Sequence, residues 1–172
     1  MPRFPYAHEG EEAEAARPFY AAIKEKFGMV PNLVKLVGHS GPATEALVQL
    51  LDIYTTKLAL PARIREIAYL TAAKANGCGY CTAHHTRLAL GAGLTEAQIA
   101  ALPSTDGLFT HAEEAVALFA LETTRAVAAS DEAVAHLREH FAPKLVAEIA
   151  FVVAAANFIQ RIGRNFGVEL EG

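Results

Sequence analysis

The sequence predicts an all-α protein, on the strength of three observations. Apolar residues make up 52% of the 172 residues and aromatic residues only 8%, so alanine and leucine supply much of the apolar surface. That composition favours closely packed helices over sheets. Apolar residues also recur at helical spacing along most of the chain. No stretch shows sustained polar–apolar alternation. We expect one domain, residues 1–172, built from about eight helices.

The first half of the chain is expected to hold three of these helices. Residues 1–10 show no helical pattern and are expected to form an irregular N-terminal arm. Gly28 is expected to end the first helix, and a short helix follows near Leu33–Val37. Ser40 and Pro42 suit the start of the next helix. The apolar stripes of the first and third helices are Ala16, Phe19, Tyr20, Ile23, Phe27, and Leu47, Leu50, Leu51, Tyr54, Leu58.

The second half is expected to be helical to its end. Pro61 opens a helix that Asn76-Gly77 terminates, and Thr95 to Gln98 matches a capping box. The inward face of the Pro61 helix is expected to carry Ile64, Ile67, Leu70 and Ala75. The remaining helices are expected at about Cys78–Leu90, Thr110–Ala129, Asp131–Phe141, and from Pro143 onward.

Charge and hydropathy exclude two classes of partner. The formal net charge is -4 and no strongly basic block is present, so a nucleic-acid partner is not expected. The N-terminus lacks a long apolar segment. The apolar run Ile149–Gln160 is shorter than the ~18 residues of a membrane span, and Arg161 ends it. We therefore expect a cytoplasmic protein with no membrane partner.

The two cysteines, Cys78 and Cys81, are separated by two residues. A disulfide between them closes a very small loop and restrains the unfolded chain little, so the pair is a poor structural crosslink. Redox chemistry or metal binding explains the pair better. For a metal, Cys78, Cys81 and His85 offer three ligands where a structural zinc site needs four. We expect no metal and no cofactor.

The spacing of His85 favours redox chemistry. On a helix, Cys81 and His85 are four residues apart and share a face. A helix N-terminus lowers the pKa of a cysteine there, and a nearby histidine can accept its proton. The resulting thiolate attacks peroxides and becomes a sulfenic acid, which a second cysteine converts to a disulfide. An external thiol reductant must then reopen that disulfide.

Glu66 lies twelve residues before Cys78, on a mostly apolar helix. Two interpretations are open. An inward-facing carboxylate is costly to bury and can carry a proton near neutral pH, which indicates a role in chemistry. Alternatively, Glu66 faces solvent and pairs with Arg63 or Arg65. A similar segment begins at Glu148, either through duplication of a helix hairpin or through shared alanine-rich composition.

Glu66, Cys78, Cys81 and His85 together resemble the signature of the alkylhydroperoxidase D (AhpD) / carboxymuconolactone decarboxylase superfamily. The resemblance extends over about residues 17–168, with its motif core at about 45–125. Three other segments resemble the peroxidase-related branch: Val30-Pro-Asn-Leu33, Gly38-His-Ser-Gly-Pro42 and Asn157-Phe-Ile-Gln-Arg-Ile-Gly-Arg-Asn-Phe-Gly167. The sequence departs from some members at Tyr80, where they carry a further histidine.

The resemblance implies an AhpD-like all-α subunit that assembles as a homo-trimer or homo-hexamer. It implies that Cys81 attacks a small-molecule hydroperoxide and that Cys78 forms the disulfide. His85 would take the proton from Cys81, and Glu66 would anchor the relay. The reductant would be a thiol, either of the dihydrolipoamide or of the thioredoxin type.

Two other functions stay open. One is a lyase of the carboxymuconolactone decarboxylase type, although members with that activity typically lack the cysteine pair. The other is a non-catalytic, redox-sensing oligomer. The histidines outside the motif, including His84, His136 and His140, are expected to be mostly solvated.

Overall fold

The computed structural model describes all 172 residues and contains helices but no strand. The predicted all-α fold class is confirmed, with nine α-helices instead of about eight. They are α1 (Arg17–Phe27), α2 (Asn32–Val37), α3 (Gly41–Asp52), α4 (Ala62–Ala75), α5 (Gly79–Gly91), α6 (Glu96–Ala101), α7 (His111–Ala126), α8 (Asp131–His140) and α9 (Pro143–Phe166). A 3₁₀ turn at Glu14–Ala16 precedes α1.

The chain divides into two compact units. The first contains residues 1–58 and 161–172, and the second contains residues 59–160. Helix α9 contributes residues to both, because the division falls between Gln160 and Arg161. The single domain over residues 1–172 stays a prediction.

In the first unit, α1 and α2 both pack against α3. Gly28 ends α1 in the left-handed conformation, with φ of 76°, as its position predicts. The Ser40 hydroxyl accepts the Ala43 N–H and caps α3. The N-terminal arm is irregular as expected, and hydrogen bonds from Arg3 N–H to Phe166 and from Ala7 N–H to Lys35 fix its backbone.

Helix α3 ends earlier than its apolar stripe predicts. The α-helix stops at Asp52, and Ile53–Lys57 continues as a single π-helical turn. Here the Thr55 and Thr56 hydroxyls bond to the carbonyls of Leu51 and Asp52. Such side-chain bonds to the preceding turn compete with the backbone ladder and loosen it.

The second unit is organised around α4, which packs against α5 and α7, while α7 also packs against α8. Of the four residues predicted to face inward, Ile67 and Leu70 are fully buried, and Ile64 and Ala75 are half-buried. The predicted capping box at Thr95 is present, and Thr110 forms a second one at the start of α7. These caps fix where α6 and α7 begin.

The turn between α4 and α5 is tightly held. Gly77 adopts a φ of 63°, a left-handed conformation that suits glycine, and the Cys78 N–H bonds to the Ala73 carbonyl at 2.8 Å. The Asn76 amide meets the side chains of Asn157 and Gln160 at 3.0 and 2.6 Å. This network anchors the turn to α9 directly before the first cysteine.

Helix α9 is twice as long as the apolar run identified from the sequence, with 24 residues against the twelve of Ile149–Gln160. By length and composition alone it could cross a membrane. A central core helix has the same character, and in the second unit Ile149, Val152, Val153 and Ala156 are fully buried.

Candidate active site

Cys78 and Cys81 meet at the N-terminus of α5. Cys78 is the N-cap residue, and its sulfur accepts the Cys81 N–H at 3.4 Å. The two Sγ atoms lie 2.7 Å apart, and each cysteine is only 2% exposed. A disulfide has a sulfur separation of about 2.05 Å, so the two free cysteines need only a small approach to form one.

Glu66 faces inward from α4 and is fully buried. Its Oε2 lies 2.6 Å from Nδ1 of His85 on α5, and its Oε1 lies 3.2 Å from Nε of Arg65. Of the two interpretations left open by the sequence, solvent exposure is therefore wrong, although the ion pair with Arg65 is present. A buried carboxylate needs such partners because desolvation of an isolated charge is costly.

The surroundings of His85 favour its neutral form. Burial lowers the pKa of His85, and the hydrogen bond to Glu66 offsets this shift only in part. A neutral imidazole that donates from Nδ1 to the carboxylate carries its lone pair on Nε2. The Glu66 contact therefore selects the tautomer that can accept a proton at Nε2.

Tyr69 is a site residue that the sequence analysis missed. It is 3% exposed, and its ring stacks on the His85 imidazole with centroids 3.4 Å apart and an interplanar angle of 12°. Its hydroxyl also makes a hydrogen bond with Cys81. The available signal was its position on α4, three residues after Glu66, which places both side chains on one helix face.

The two cysteine thiols influence each other's ionisation. The hydrogen bond to Cys78, burial and the neighbouring Cys78 charge raise the pKa of Cys81, and the Tyr69 hydroxyl and the backbone act in the opposite direction. Two sulfurs at this distance hold a single negative charge readily, while a second ionisation is opposed. A proton shared between the sulfurs therefore accompanies any single ionisation of the pair.

Tyr80 and His84 lie beside the motif on α5. The Tyr80 ring packs on His84 with centroids 4.5 Å apart, and both side chains are half-buried. On α9, Glu148 occupies the place equivalent to Glu66 in the similar segment. Its Oε2 accepts the Leu60 N–H at 2.7 Å, so it binds the backbone ahead of α4.

The structure brings other potential metal ligands together on α8. Single ligand atoms of His136, Glu139 and His140 all lie within 4.8 Å of one another in the last helical turn. His140 is exposed and His136 half-buried. Spacing of this kind can hold a divalent metal ion at a surface, and the sequence analysis had treated these histidines only as solvated.

The comparisons with known proteins agree with this architecture. Residues 42–123 match the model of the carboxymuconolactone decarboxylase family. The matched segment includes Glu66, Tyr69, Cys78, Cys81 and His85. No curated protein matches the chain in sequence. The structural neighbours include an uncharacterised peroxidase-related protein from Ralstonia eutropha JMP134, described as an alkylhydroperoxidase AhpD core. It has a TM-score of 0.80 at 22% identity, covering 99% of this chain and 93% of that one.

Two other neighbours share the fold at lower scores. A peroxidase-related protein from Silicibacter sp. TM1040 has a TM-score of 0.77 at 19% identity, covering 93% of this chain and 86% of that one. The debrominase Bmp8 has a TM-score of 0.76 at 21% identity, covering 93% and 88%. A variant of Bmp8 was crystallised with 2,3,4-tribromopyrrole.

Residues 42–123 are therefore similar to the carboxymuconolactone decarboxylase family, and the fold of the chain is that of the AhpD-like proteins. The family match begins in α3 and ends in α7, so it contains the whole α4–α5 pair that carries the site. Within the matched segment, the protein presents its cysteines beside a buried carboxylate–imidazole pair.

We predict that Glu66→Gln slows alkylation of the cysteine pair. Loss of a charge-assisted hydrogen bond costs about 1.5–3 kcal/mol, which corresponds to a rate about 10- to 100-fold lower if His85 is the base. The measurement is the rate of iodoacetamide alkylation at neutral pH. Glu148→Gln is the matched control. It removes a half-buried carboxylate from the similar segment on α9 and should leave the rate unchanged. Equal rates in both variants would contradict the role of Glu66.

We also predict that the stability of the protein falls on acidification partly because of His85. The folded-state pKa of His85 is lowered, so below its unfolded value of about 6.5 the unfolded chain binds a proton that the folded chain does not. The free energy of unfolding should therefore fall as the pH drops from about 6.5 through the folded-state pKa. Urea unfolding across this range should give a flatter profile for His85→Gln. His84→Gln is the control, and a His85→Gln profile parallel to the wild type would show the assignment to be wrong.

Proposed function

We propose that the protein is a thiol-dependent hydroperoxide reductase whose centre is the Cys78–Cys81 pair. One observation supports this most directly. The two sulfurs lie 2.7 Å apart beside a buried Glu66–His85 pair whose carboxylate and imidazole are 2.6 Å apart. That arrangement supplies a nucleophile, a base and a second thiol in one water-poor volume.

The reaction proceeds in two steps on the protein. In the first, the Cys81 thiolate attacks one oxygen of the hydroperoxide, an S–O bond forms and the O–O bond breaks. The departing alkoxide takes a proton and leaves as an alcohol, and Cys81 becomes a sulfenic acid. In the second, the Cys78 sulfur attacks the Cys81 sulfur, the S–O bond breaks, and water leaves with a second proton. The protein has then lost two electrons and holds a disulfide.

The residues take separate roles in this scheme. Cys81 is the attacking sulfur because it lies one helical turn before His85 and contacts Tyr69. His85 accepts the Cys81 proton at Nε2 and returns it to the alkoxide. Glu66 fixes the His85 tautomer and stabilises the imidazolium that forms. Cys78 resolves the sulfenic acid.

An external dithiol must supply two electrons to complete the cycle. It attacks the disulfide, leaves both cysteines reduced and becomes a disulfide itself. We propose a reductant of the dihydrolipoamide or thioredoxin type. We further propose that the protein is soluble and cytoplasmic, where thiols are kept reduced, and that it assembles as a homo-trimer or homo-hexamer.

Reductive debromination is the second candidate function. The same pair can deliver two electrons to a carbon–bromine bond, releasing bromide while a proton replaces it on carbon, and the cysteines become a disulfide. The similarity of the fold to that of the debrominase Bmp8 motivates this alternative. A decarboxylase-type lyase has less support, because its proton-transfer chemistry has no use for two buried sulfurs in contact. A redox-sensing role without turnover uses the same disulfide and differs only in kinetics.

The test is turnover of cumene hydroperoxide with dihydrolipoamide or with a thioredoxin system, in the wild type and in two serine variants. Cys81→Ser should reduce no peroxide, because the nucleophile is absent. Cys78→Ser should react once and hold a sulfenic acid that dimedone labels. Dithiol-dependent cycling in Cys78→Ser at the wild-type rate, or dimedone labelling of Cys81→Ser instead, would contradict the assigned order.

The same variants distinguish the alternatives. Tribromopyrrole in place of the hydroperoxide, with release of bromide as the readout, tests the debrominase. Oxidation by one equivalent of peroxide without repeated turnover under any dithiol would indicate a sensor. Thiols that stay reduced in peroxide would favour the lyase.

A further inference from the structure

Tyr69 connects the base to the nucleophile through a single side chain. It lies on α4 and is 3% exposed. Its ring covers one face of the His85 imidazole at 3.4 Å, and its hydroxyl reaches Cys81 one turn earlier on α5. Stacking at an angle of 12° fixes the plane of the imidazole, so the ring stays aligned with the Glu66 carboxylate.

Each sulfur of the pair has its own stabilising donor. The Cys78 sulfur accepts the backbone N–H of Cys81 at the start of α5, where the helix dipole also favours negative charge. The Cys81 sulfur accepts the hydroxyl of Tyr69. When the pair loses one proton, a single negative charge lies between two sulfurs 2.7 Å apart, and its position depends on the balance between these donors.

The balance matters for the proposed reaction. Hydrogen bonds to a charged group are strong because the charge polarises them, and they favour the ionised form of the group they contact. Without the Tyr69 hydroxyl, the Cys81 sulfur keeps only its own backbone N–H as a stabilising donor, and the balance moves toward Cys78 at the helix N-terminus. Cys78 lies at the N-cap, seven residues before His85, which is three residues further than the four-residue spacing of Cys81.

We propose that Tyr69 is a further catalytic residue, whose hydroxyl donates to the Cys81 sulfur and draws the shared charge of the cysteine pair onto the attacking atom. This inference rests on the proposed function only in naming Cys81 as the attacker. Tyr69 gives and takes no electrons and keeps its proton throughout. When Cys81 becomes a sulfenic acid, the hydroxyl remains a donor to the oxidised group while Cys78 attacks.

The experiment measures the rate of iodoacetamide alkylation as a function of pH in Cys78→Ser and in Cys78→Ser/Tyr69→Phe. Cys81 is the one cysteine left in both variants, so the midpoint of the profile reports its ionisation. Phenylalanine keeps the stacked ring and removes only the hydroxyl. We expect the midpoint of alkylation to move to higher pH and the rate at neutral pH to fall about tenfold. An unchanged midpoint would overturn the proposal. If the double variant does not fold, wild type and Tyr69→Phe are compared in the same way.

Tyr20→Phe on the Cys78→Ser background is the matched control. The Tyr20 hydroxyl is also buried and donates to the Ala7 carbonyl at 2.7 Å, so its loss lowers stability in a comparable way. The alkylation midpoint should stay where it is in Cys78→Ser. A shift equal to that of Tyr69→Phe would show that the Tyr69→Phe effect reflects a general loss of stability. Alkylation needs no peroxide, so the result stands or falls independently of peroxide turnover.

Discussion

The hydrogen bond between Glu66 and His85 is the interaction on which the site depends. A fully buried carboxylate is strongly unfavourable unless charged or polar partners surround it, and removal of one partner of a buried pair costs about 3–5 kcal/mol. Glu66 receives its partners from two directions, Arg65 on its own helix and His85 on the next. Helices α4 and α5 are therefore constrained to the one register in which these side chains meet. The same register brings Tyr69 over the imidazole.

The rest of the second unit maintains that register. Gly77 allows a tight turn after α4, and Asn76 anchors this turn through Asn157 and Gln160. Cys78 then begins α5 as its N-cap, which places the two sulfurs in contact and Cys81 one turn before His85. Ile67 and Leu70, on the same helix as Glu66 and Tyr69, are fully buried. A low local dielectric strengthens each of the polar contacts of the site.

The sequence predicted the helices well because their limits are local. Gly28, Ser40, Thr95 and Thr110 act through their own backbone conformation or through a neighbour three residues away. The motif spacing also predicted that Cys78 and Cys81 would meet, as their sulfurs do, since a helix brings residues three apart onto one face. The π-helical turn after α3 was not predicted, because the threonine bonds that accompany it compete on nearly equal terms with the regular helix.

The sequence could not decide which face of α4 is buried. Whether Glu66 points inward depends on how α4 packs against α5 and α7, and both open interpretations satisfied the local pattern. Tyr69 was missed for the same reason. An aromatic residue on an apolar helix is usually a core residue, and only the position of the His85 imidazole shows that Tyr69 stacks on it. The histidine and glutamate cluster on α8 likewise became visible only when side-chain positions were known.

The central claim is that two sulfurs in contact beside the Glu66–His85 pair form a two-electron centre. Intact-protein mass spectrometry after addition of one equivalent of hydroperoxide to the reduced protein tests this most directly. We predict a loss of about 2 Da and of both titratable thiols, corresponding to a Cys78–Cys81 disulfide that dithiothreitol reverses. An unchanged mass, or a gain of oxygen atoms with one thiol left reduced, would contradict the account.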